Sequence, residues 1–198
     1  MGRLHRHRCH ILDLVSPTPG RVLFGPAVTI SYFPSCSAAL DPKRYNLANL
    51  FYEAVGDDPA GKVVVLASNG YTDASMGGGT KLSRLERHGC AGVLTDARLR
   101  DFDELAGYDF AAYCSGESTH WGGGDVTPFQ ANVPVVLSGV GVLPGQYVFA
   151  DSSGAVVIPD VQVEEVIAGA RDVKAEDERF REEIEREPFG APQERDEG

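Results

Sequence analysis

Apolar residues follow two spacings along this chain, one typical of strands and one typical of helices. The runs Val22 to Tyr32 and Lys62 to Leu66 are rich in β-branched residues, and the second is apolar from Val63 to Leu66, as in strands covered on both faces. Tyr45 to Val55 instead places its apolar residues on one helical face. The other predicted elements are a helix over Thr80 to His88 and strands over Gly92 to Thr95, Pro134 to Leu137, Tyr147 to Ala150 and Ala155 to Ile158. This order predicts a mixed α/β domain built around a compact β core.

An amphipathic pattern also marks the C-terminal part of the chain, between Val161 and Glu187. Its apolar residues recur at roughly helical spacing, and Pro188 and Gly190 would end the helix. Two interpretations stay open: this helix packs on its own domain, or it reaches over a neighbouring subunit. The predicted organisation is an irregular segment over 1–20, one domain over 21–159, an acidic helix over 160–187 and a disordered tail over 188–198.

Charge separates this tail from the body of the chain. Residues 160–198 carry 14 acidic and 6 basic side chains, so −8 of the net charge of −11 lies there. The acidic balance argues against a nucleic-acid partner, because phosphate binding depends on Lys and Arg clusters. A chain of 198 residues with 42% hydrophobic residues suits one domain with its own core. No apolar run is long enough for a signal peptide or a membrane span, so we expect a cytoplasmic protein without a membrane partner.

The cysteines and the N-terminal histidines predict no built metal site. Cys9, Cys36, Cys90 and Cys114 form no CxxC pair, so we expect four reduced thiols, some of them buried. Four residues near the N-terminus could bind a metal adventitiously, namely His5, His7, Cys9 and His10. The favoured interpretation is that they lie in a frayed terminus.

Two triple-glycine runs are candidate sites for backbone recognition. Gly77 to Gly79 precedes a predicted helix, and amide groups at a helix N-terminus bind anions. The run matches no nucleotide-binding glycine motif, so a carboxylate or a small phosphate is the more plausible ligand. The alternative is a tight turn in which glycine supplies a positive φ. For Gly122 to Gly124 that alternative is favoured.

The dipeptide Arg100-Asp101 is the second candidate, because it closely follows the predicted strand Gly92 to Thr95. Side chains at the carboxyl end of a strand commonly build sites in α/β folds. Asp101 can hold a hard cation such as Mg²⁺, and Arg100 can pair with a carboxylate or stabilise an enolate oxygen. The alternative is an ordinary surface ion pair.

Longer segments carry a family resemblance that runs from about Val22 to Pro159. These segments are GPAVTI at Gly25 to Ile30, the glycine-rich turn from Gly77, GCAGVLTDARLRD at Gly89 to Asp101, and NVPVVLSGVGVLPGQYVFADSSGAVVIP at Asn132 to Pro159. Together they resemble the RraA-like family, which includes 4-hydroxy-4-methyl-2-oxoglutarate aldolases, so-called demethylmenaquinone methyltransferases and the regulator of ribonuclease activity A. The resemblance implies a compact domain of the swivelling β/β/α type, assembled as a homotrimer or homohexamer.

The resemblance also implies a function, namely a lyase that needs Mg²⁺ or Mn²⁺ and cleaves a C–C bond of a 2-oxo acid. Asp101 would hold the metal, and Arg100 would stabilise the pyruvate enolate. The substrate carboxylate would bind at Gly78, Gly79, Thr80 and Lys81, together with Arg100. Both retro-aldol cleavage of 4-hydroxy-4-methyl-2-oxoglutarate and decarboxylation of oxaloacetate pass through that enolate.

This sequence departs from the aldolase pattern at one position. Aldolases of the family carry an acidic residue, twenty intervening residues and then Arg-Asp, and counting back from Arg100 places Gly79 at the acidic position. Asp73 or Asp96 could substitute, and Gly79→Asp is expected to raise activity if the carboxylate is limiting. An acidic residue from a neighbour's C-terminal region completes the site in the family.

Two further departures concern the N-terminus and a loop. Residues 1–20 are too short to supply fully the helix with which family members usually begin. The segment Cys114 to Asp125 replaces a basic loop of the family, and its His120, Trp121 and Asp125 could shape substrate choice or lie in an ordinary surface loop.

Other functions stay open beside the lyase. One is a non-catalytic regulator that binds a protein partner such as a ribonuclease, and another is a family enzyme with a different acid substrate. In the regulator branch the Asp that follows the Arg is typically absent, whereas Asp101 is present here. A methyltransferase is disfavoured, because Ala67 to Tyr71 lacks the glycine-rich turn that S-adenosylmethionine requires after the first strand.

Overall fold

The computed structural model describes residues 7–36 and 38–187, and the chain falls into two units, residues 1–160 and 161–198. The strands of the first unit are β1 (His10–Ile11), β2 (Leu23–Pro34), β3 (Val63–Ala67), β4 (Ser75–Gly77), β5 (Gly92–Thr95), β6 (Arg98–Leu99), β7 (Ala111–Tyr113), β8 (Gly116–Glu117), β9 (Val126–Ala131), β10 (Val135–Leu137), β11 (Val140–Val142), β12 (Tyr147–Asp151) and β13 (Gly154–Ile158). Its helices are α1 (Leu47–Val55), α2 (Gly79–Arg87) and α3 (Phe102–Leu105), and the second unit contains α4 (Val163–Arg186).

The main sheet has the strand order β1-β13-β12-β2-β3-β5-β7, with β9 also paired to β2. The strands from β2 to β7 in this order are parallel, whereas β12, β13 and β1 add antiparallel pairs. The twelve-residue strand β2 joins the two halves, because its first residues pair with β12 and its later ones with β3 and β9. All five residues of β3 are buried, as expected for a parallel strand covered on both faces.

Two apolar clusters pack on this sheet. One includes the buried faces of α1 and α2, with Leu50, Phe51, Leu82 and Leu85 among its members. The other includes residues of the β10–β11 hairpin and of β12 and β13. The fold is therefore the mixed α/β domain that the apolar pattern predicts.

A small parallel sheet of the order β4-β6-β8 lies apart from the main sheet and carries the candidate site. Its strands have only two or three residues, too few to show a hydrophobic period, and the apolar pattern predicts none of the three. The expected turn over residues 96–103 instead contains β6 and the start of α3.

The frayed terminus expected around Cys9 and His10 is wrong for residues 9–11. Cys9 and Ile11 are buried, and β1 pairs with β13. Burial of Ile11 stabilises this short pairing, which explains why the segment is ordered despite its irregular sequence. His5 lies outside the described residues. All four cysteines are free thiols and three are buried, as predicted.

Helix α4 confirms the helix predicted for the acidic segment. It spans 24 residues, none of them buried, and two i,i+4 ion pairs lie along it, Lys174 with Glu178 and Glu182 with Arg186. The disordered tail predicted over 188–198 lies outside the described part of the chain. In residues 7–36 and 38–187, no helix has the length and hydropathy of a membrane span.

Candidate active site

The two candidate segments predicted from sequence meet at the edge of the small sheet. Strand β4 ends at Gly77, Gly78 forms the N-cap of α2, and β6 lies parallel to β4. The backbone N–H of Arg100 donates to the Gly77 carbonyl at 3.0 Å. The pairing of β4 with β6 therefore brings Arg100 and Asp101 beside the first turn of α2.

Asp101 contacts the N-terminus of α2 directly. Its Oδ2 accepts a 3.1 Å hydrogen bond from the backbone N–H of Gly79 and lies 3.7 Å from Nε of Arg100. A carboxylate at a helix N-terminus is stabilised by the helix dipole. One such bond leaves much of the carboxylate's capacity to accept, since its two oxygens offer about four lone-pair sites.

Asp101 also adopts a backbone conformation that is uncommon for residues other than glycine. Its φ of 62° and ψ of 45° lie in the left-handed region, and the residue immediately precedes α3. Such conformations have an energetic cost and concentrate at functional sites. Here it turns the chain from β6 into α3 while the Asp101 side chain stays against α2.

In the first glycine run, glycine is needed because other side chains approach the backbone closely, and not because φ is positive. Gly78 has a φ of −145°, so the alternative interpretation as a left-handed turn is wrong. A Cβ on Gly78 would overlap Oδ2 of Asp101 and would lie 2.7 Å from Cγ of Arg100. Glycine at this position thus lets both side chains reach the backbone of the α2 N-terminus.

The second glycine run also lacks positive φ angles. Gly122–Gly124 form a 3₁₀ turn, and a Cβ on the buried Gly122 would lie 2.9 Å from the Ser75 carbonyl oxygen. The interpretation as a turn in which glycine supplies a positive φ is therefore wrong for this run, and at Gly122 close packing against β4 requires glycine.

Gly79 lies against a carboxylate that no sequence pattern singled out, that of Glu104. A Cβ on Gly79 would overlap Cδ and Oε2 of Glu104, on α3. Oη of Tyr108 donates to Oε1 of Glu104 at 2.8 Å and lies 3.4 Å from the Gly79 carbonyl oxygen. The only local signal is that Glu104 follows Asp101 by three residues, which places the two on the same side of a helical turn.

The two acidic residues that the sequence suggested as substitutes are engaged elsewhere. Asp96 is buried and accepts a 2.9 Å hydrogen bond from the Ser68 backbone, and burial raises the pKa of its carboxyl group. Asp73 lies 3.5 Å from Nε of Arg98. The carboxylate nearest to the Cβ position of Gly79 is therefore that of Glu104, and neither Asp73 nor Asp96 fills that space.

Positive charge collects around the first turn of α2. Burial lowers the pKa of Lys81, and the nearby Arg100 and Arg84 lower it further. The first backbone N–H groups of a helix have no partner within the helix. Of those predicted to bind an anion, the Gly79 N–H already donates to Asp101 and the Lys81 N–H to the Gly78 carbonyl at 3.0 Å. Anion recognition would therefore depend on the N–H groups of Gly78 and Thr80 and on the Lys81 side chain.

Lys81 is one of the residues that line a cavity of about 580 Å³. Its walls are mainly apolar and aromatic and include Tyr32, Met76 and Trp121, with Gly122–Gly124 at one side. Next to Trp121, Nε2 of His120 lies 2.8 Å from Oδ2 of Asp125. The loop over residues 114–125 therefore contributes to the wall of this cavity through Trp121 and its glycines.

The donor set at Asp101 suits a weakly held hard cation and not a closed metal cage. Among the described residues, no three His, Cys, Asp or Glu side chains converge as a metal-binding group. Mg²⁺ is commonly bound through one or two carboxylates and keeps several waters, which substrate oxygens can replace. Asp101 fits that mode.

Comparison with known proteins places this geometry in a family. The family model described as RraA-like, Aldolase/RraA, matches residues 2–157. The chain belongs to the RraA-like family. The matched residues include the small sheet, the candidate active site and nearly all of the main sheet.

Individual relatives agree with this assignment. The chain is 31% identical over 137 residues to the "Putative 4-hydroxy-4-methyl-2-oxoglutarate aldolase" of Halalkalibacterium halodurans, covering 67% of this chain and 62% of that protein. It is 25% identical over 174 residues to Protein DlpA of Legionella pneumophila, covering 86% of this chain and 27% of DlpA. The chain thus spans less than two thirds of the length of these curated relatives.

A solved structure shows the same fold. Streptomyces coelicolor RraAS2, described as an unusual member of the RNase ES inhibitor RraA protein family, superposes with a TM-score of 0.79 at 26% identity. The match covers 92% of this chain and 88% of RraAS2. The swivelling α/β fold implied by the family resemblance is thereby confirmed.

Proposed function

We propose that this RraA-like protein is a lyase that uses Mg²⁺ or Mn²⁺ to cleave a C–C bond of a small 2-oxo acid. The observation that carries the proposal is the junction of Arg100 and Asp101 with the N-terminus of α2. A carboxylate, a guanidinium group and a helix N-terminus lie within one small region, and these are the groups that a metal-chelated 2-oxo carboxylate needs. The aldolase name of the Halalkalibacterium relative supports the same reaction class.

Each group has a distinct task in this proposal. Asp101 would hold the cation, which when bound supplies Lewis acidity to the keto and carboxylate oxygens of the substrate. Gly78, Thr80 and Lys81 bind the substrate carboxylate through the backbone N–H groups of the helix N-terminus and the Lys81 ammonium group. Arg100 stabilises the negative charge that develops on the enolate oxygen.

The retro-aldol reaction needs a base that takes a proton from the substrate hydroxyl and an acid that gives a proton to the enolate carbon. In 4-hydroxy-4-methyl-2-oxoglutarate, the C4 hydroxyl loses its proton and the C3–C4 bond breaks. The bonding electron pair stays on the C3 side as the enolate of pyruvate, and the C4 fragment leaves as a second pyruvate. Protonation of C3 completes the first pyruvate. Decarboxylation of oxaloacetate gives the same enolate with CO₂ as the leaving fragment.

Pyruvate release in a coupled assay tests this proposal directly. We expect turnover of oxaloacetate or 4-hydroxy-4-methyl-2-oxoglutarate with Mg²⁺ or Mn²⁺, and loss of turnover with EDTA. Arg100→Ala and Asp101→Asn should each lower kcat by about 100-fold or more. Arg87→Ala, at the exposed end of α2, and Asp103→Asn, at an exposed position of α3, are the matched controls, because each removes the same charge as its counterpart. Full activity in Arg100→Ala or Asp101→Asn would refute the site.

A non-catalytic regulator is the second candidate function. Similarity to RraAS2, from a family described as RNase ES inhibitors, and the acidic charge of residues 160–198 favour it. Such a protein would bind a basic surface of a protein partner through that acidic segment. Absence of pyruvate release from both substrates with either metal would favour this candidate, or an enzyme of the family that acts on a different acid.

We further propose that the protein assembles as a homotrimer or homohexamer. The RraA-like family membership supports this assembly, because sites in the family are completed by an acidic residue from a neighbouring subunit. Helix α4 offers many exposed carboxylates for that role. Sedimentation equilibrium would measure the assembly, and a monomer at micromolar concentration would contradict it.

A further inference from the structure

Two carboxylates at the N-terminal end of α3 lie against the same glycine. Asp101, just before α3, accepts the Gly79 N–H through Oδ2. Glu104, one turn later, presents Cδ and Oε2 to the position that a Cβ on Gly79 would occupy. The absence of a side chain at residue 79 therefore leaves a space beside Asp101 that the Glu104 carboxylate fills.

The Glu104 carboxylate is held in this position by a neighbouring phenol. Tyr108 donates its O–H to Oε1 at 2.8 Å, and this hydrogen bond raises the pKa of Tyr108, so the phenol stays protonated and remains a donor. Oε2, the oxygen on the Gly79 side, is the one that a Cβ there would meet. One oxygen is thus anchored while the other lies beside Gly79 at the N-terminus of α2.

We propose that Glu104 is the acid–base residue of the Arg100–Asp101 site and acts from the space that Gly79 leaves open. This inference rests on the lyase proposed above. In the retro-aldol direction, the Glu104 carboxylate accepts the C4 hydroxyl proton as the C3–C4 bond breaks. It then returns one proton to C3 of the enolate, so the residue ends each turnover as it began. The carboxylate thus comes from α3 and needs no acidic residue at position 79.

This arrangement changes the expected effect of adding a carboxylate at residue 79. Gly79→Asp alone would displace Glu104 and its bond to Tyr108, so we expect lower activity and not the gain suggested by the sequence. In the double variant Gly79→Asp with Glu104→Ala, the space is empty and the new carboxylate can occupy it. The double variant should therefore be more active than Glu104→Ala by about 10-fold or more, if an acid–base group contributes its usual factor of about 100 or more.

The test compares these variants in pyruvate release and in Mn²⁺ binding followed by electron paramagnetic resonance. We expect Glu104→Gln to lower kcat by about 100-fold and to keep the wild-type Mn²⁺ affinity. Asp103→Asn, on the same helix, should change neither quantity, whereas Asp101→Asn should lose Mn²⁺ binding. Thermal unfolding of each variant checks that the fold is intact.

Three results would overturn the inference, and they can be told apart. Wild-type kcat in Glu104→Gln, with Arg100→Ala inactive, removes Glu104 from the reaction but leaves the lyase intact. A loss of Mn²⁺ affinity in Glu104→Gln equal to that in Asp101→Asn makes Glu104 a ligand instead. An inactive wild-type protein refutes the lyase and this inference together.

Discussion

The backbone N–H of Gly79 and the Oδ2 atom of Asp101 are joined by a 3.1 Å hydrogen bond across 22 residues of sequence. This bond connects the first turn of α2 to the turn that leads into α3. Two segments that each suggested a function from sequence are therefore parts of one arrangement. Because Oδ2 accepts a hydrogen bond from the first turn of α2, loss of the Asp101 carboxylate should disturb the position of α2 as well as cation binding.

The charge environment of Lys81 gives a test of this arrangement that needs no substrate. Burial lowers the pKa of Lys81, and Arg100 lowers it more than Arg84 does. Arg100→Ala should therefore raise the pKa of Lys81, and Arg84→Ala should raise it by less. ¹³C NMR of the reductively methylated lysine would measure both shifts, with Lys81→Arg identifying the signal.

The protonation of Lys81 also determines how anion binding depends on pH. Lys81 attracts a carboxylate only while protonated, so binding should weaken as pH rises through a pKa that lies below the ordinary value for lysine. A bound anion should raise that pKa in turn. If oxalate leaves the pKa of Lys81 unchanged at saturation, Lys81 does not bind the carboxylate.

The parallel pairing of β5 with β7 should depend on glycine at residue 92. A Cβ there would overlap the Ala111 carbonyl oxygen, and the φ of 155° is rare for residues with a side chain. Overpacking against backbone and conformational strain predict a loss of about 3 kcal/mol or more for Gly92→Ala. Urea unfolding would measure it. Gly141→Ala is the control, because this strand glycine has open space around its Cβ position, and a comparable loss there would refute the explanation.

Long apolar elements could be predicted from the sequence, whereas the small sheet and Glu104 could not. Strand β5 has the predicted bounds because four consecutive residues, Gly92–Thr95, are buried. Strands β4, β6 and β8 are too short to carry a period, so their pairing depends on tertiary packing. Glu104 lies in an acidic stretch typical of a solvated surface, and its role depends on a contact with a residue 25 positions away. Such contacts arise only when the fold brings two segments together.

The thiols should differ strongly in reactivity. Burial raises the pKa of Cys90 and Cys114 to about 11 and also raises that of Cys9, while Cys36 is exposed. Because the thiolate is the reactive form, we expect one fast thiol at pH 8 with an aromatic disulfide reagent and four after unfolding. Cys36→Ser should remove the fast phase. A second fast thiol in the native protein would contradict the burial of the other three.

The acidic helix α4 should contribute to assembly more than to the stability of the first unit. Within residues 7–36 and 38–187, every buried hydrophobic residue lies between Cys9 and Ile158, so deletion of residues 161–198 should leave the Tm of the remaining chain nearly unchanged. Val173, Phe180 and Ile184 form an exposed apolar stripe on the helix. Apolar surface of this kind is favourable to bury against another subunit, so we expect the deletion, and Phe180→Ser alone, to lower the mass in sedimentation equilibrium. Arg179→Ser is the matched control. An unchanged mass after deletion, with a Tm that falls by many degrees, would instead show that the helix stabilises its own chain.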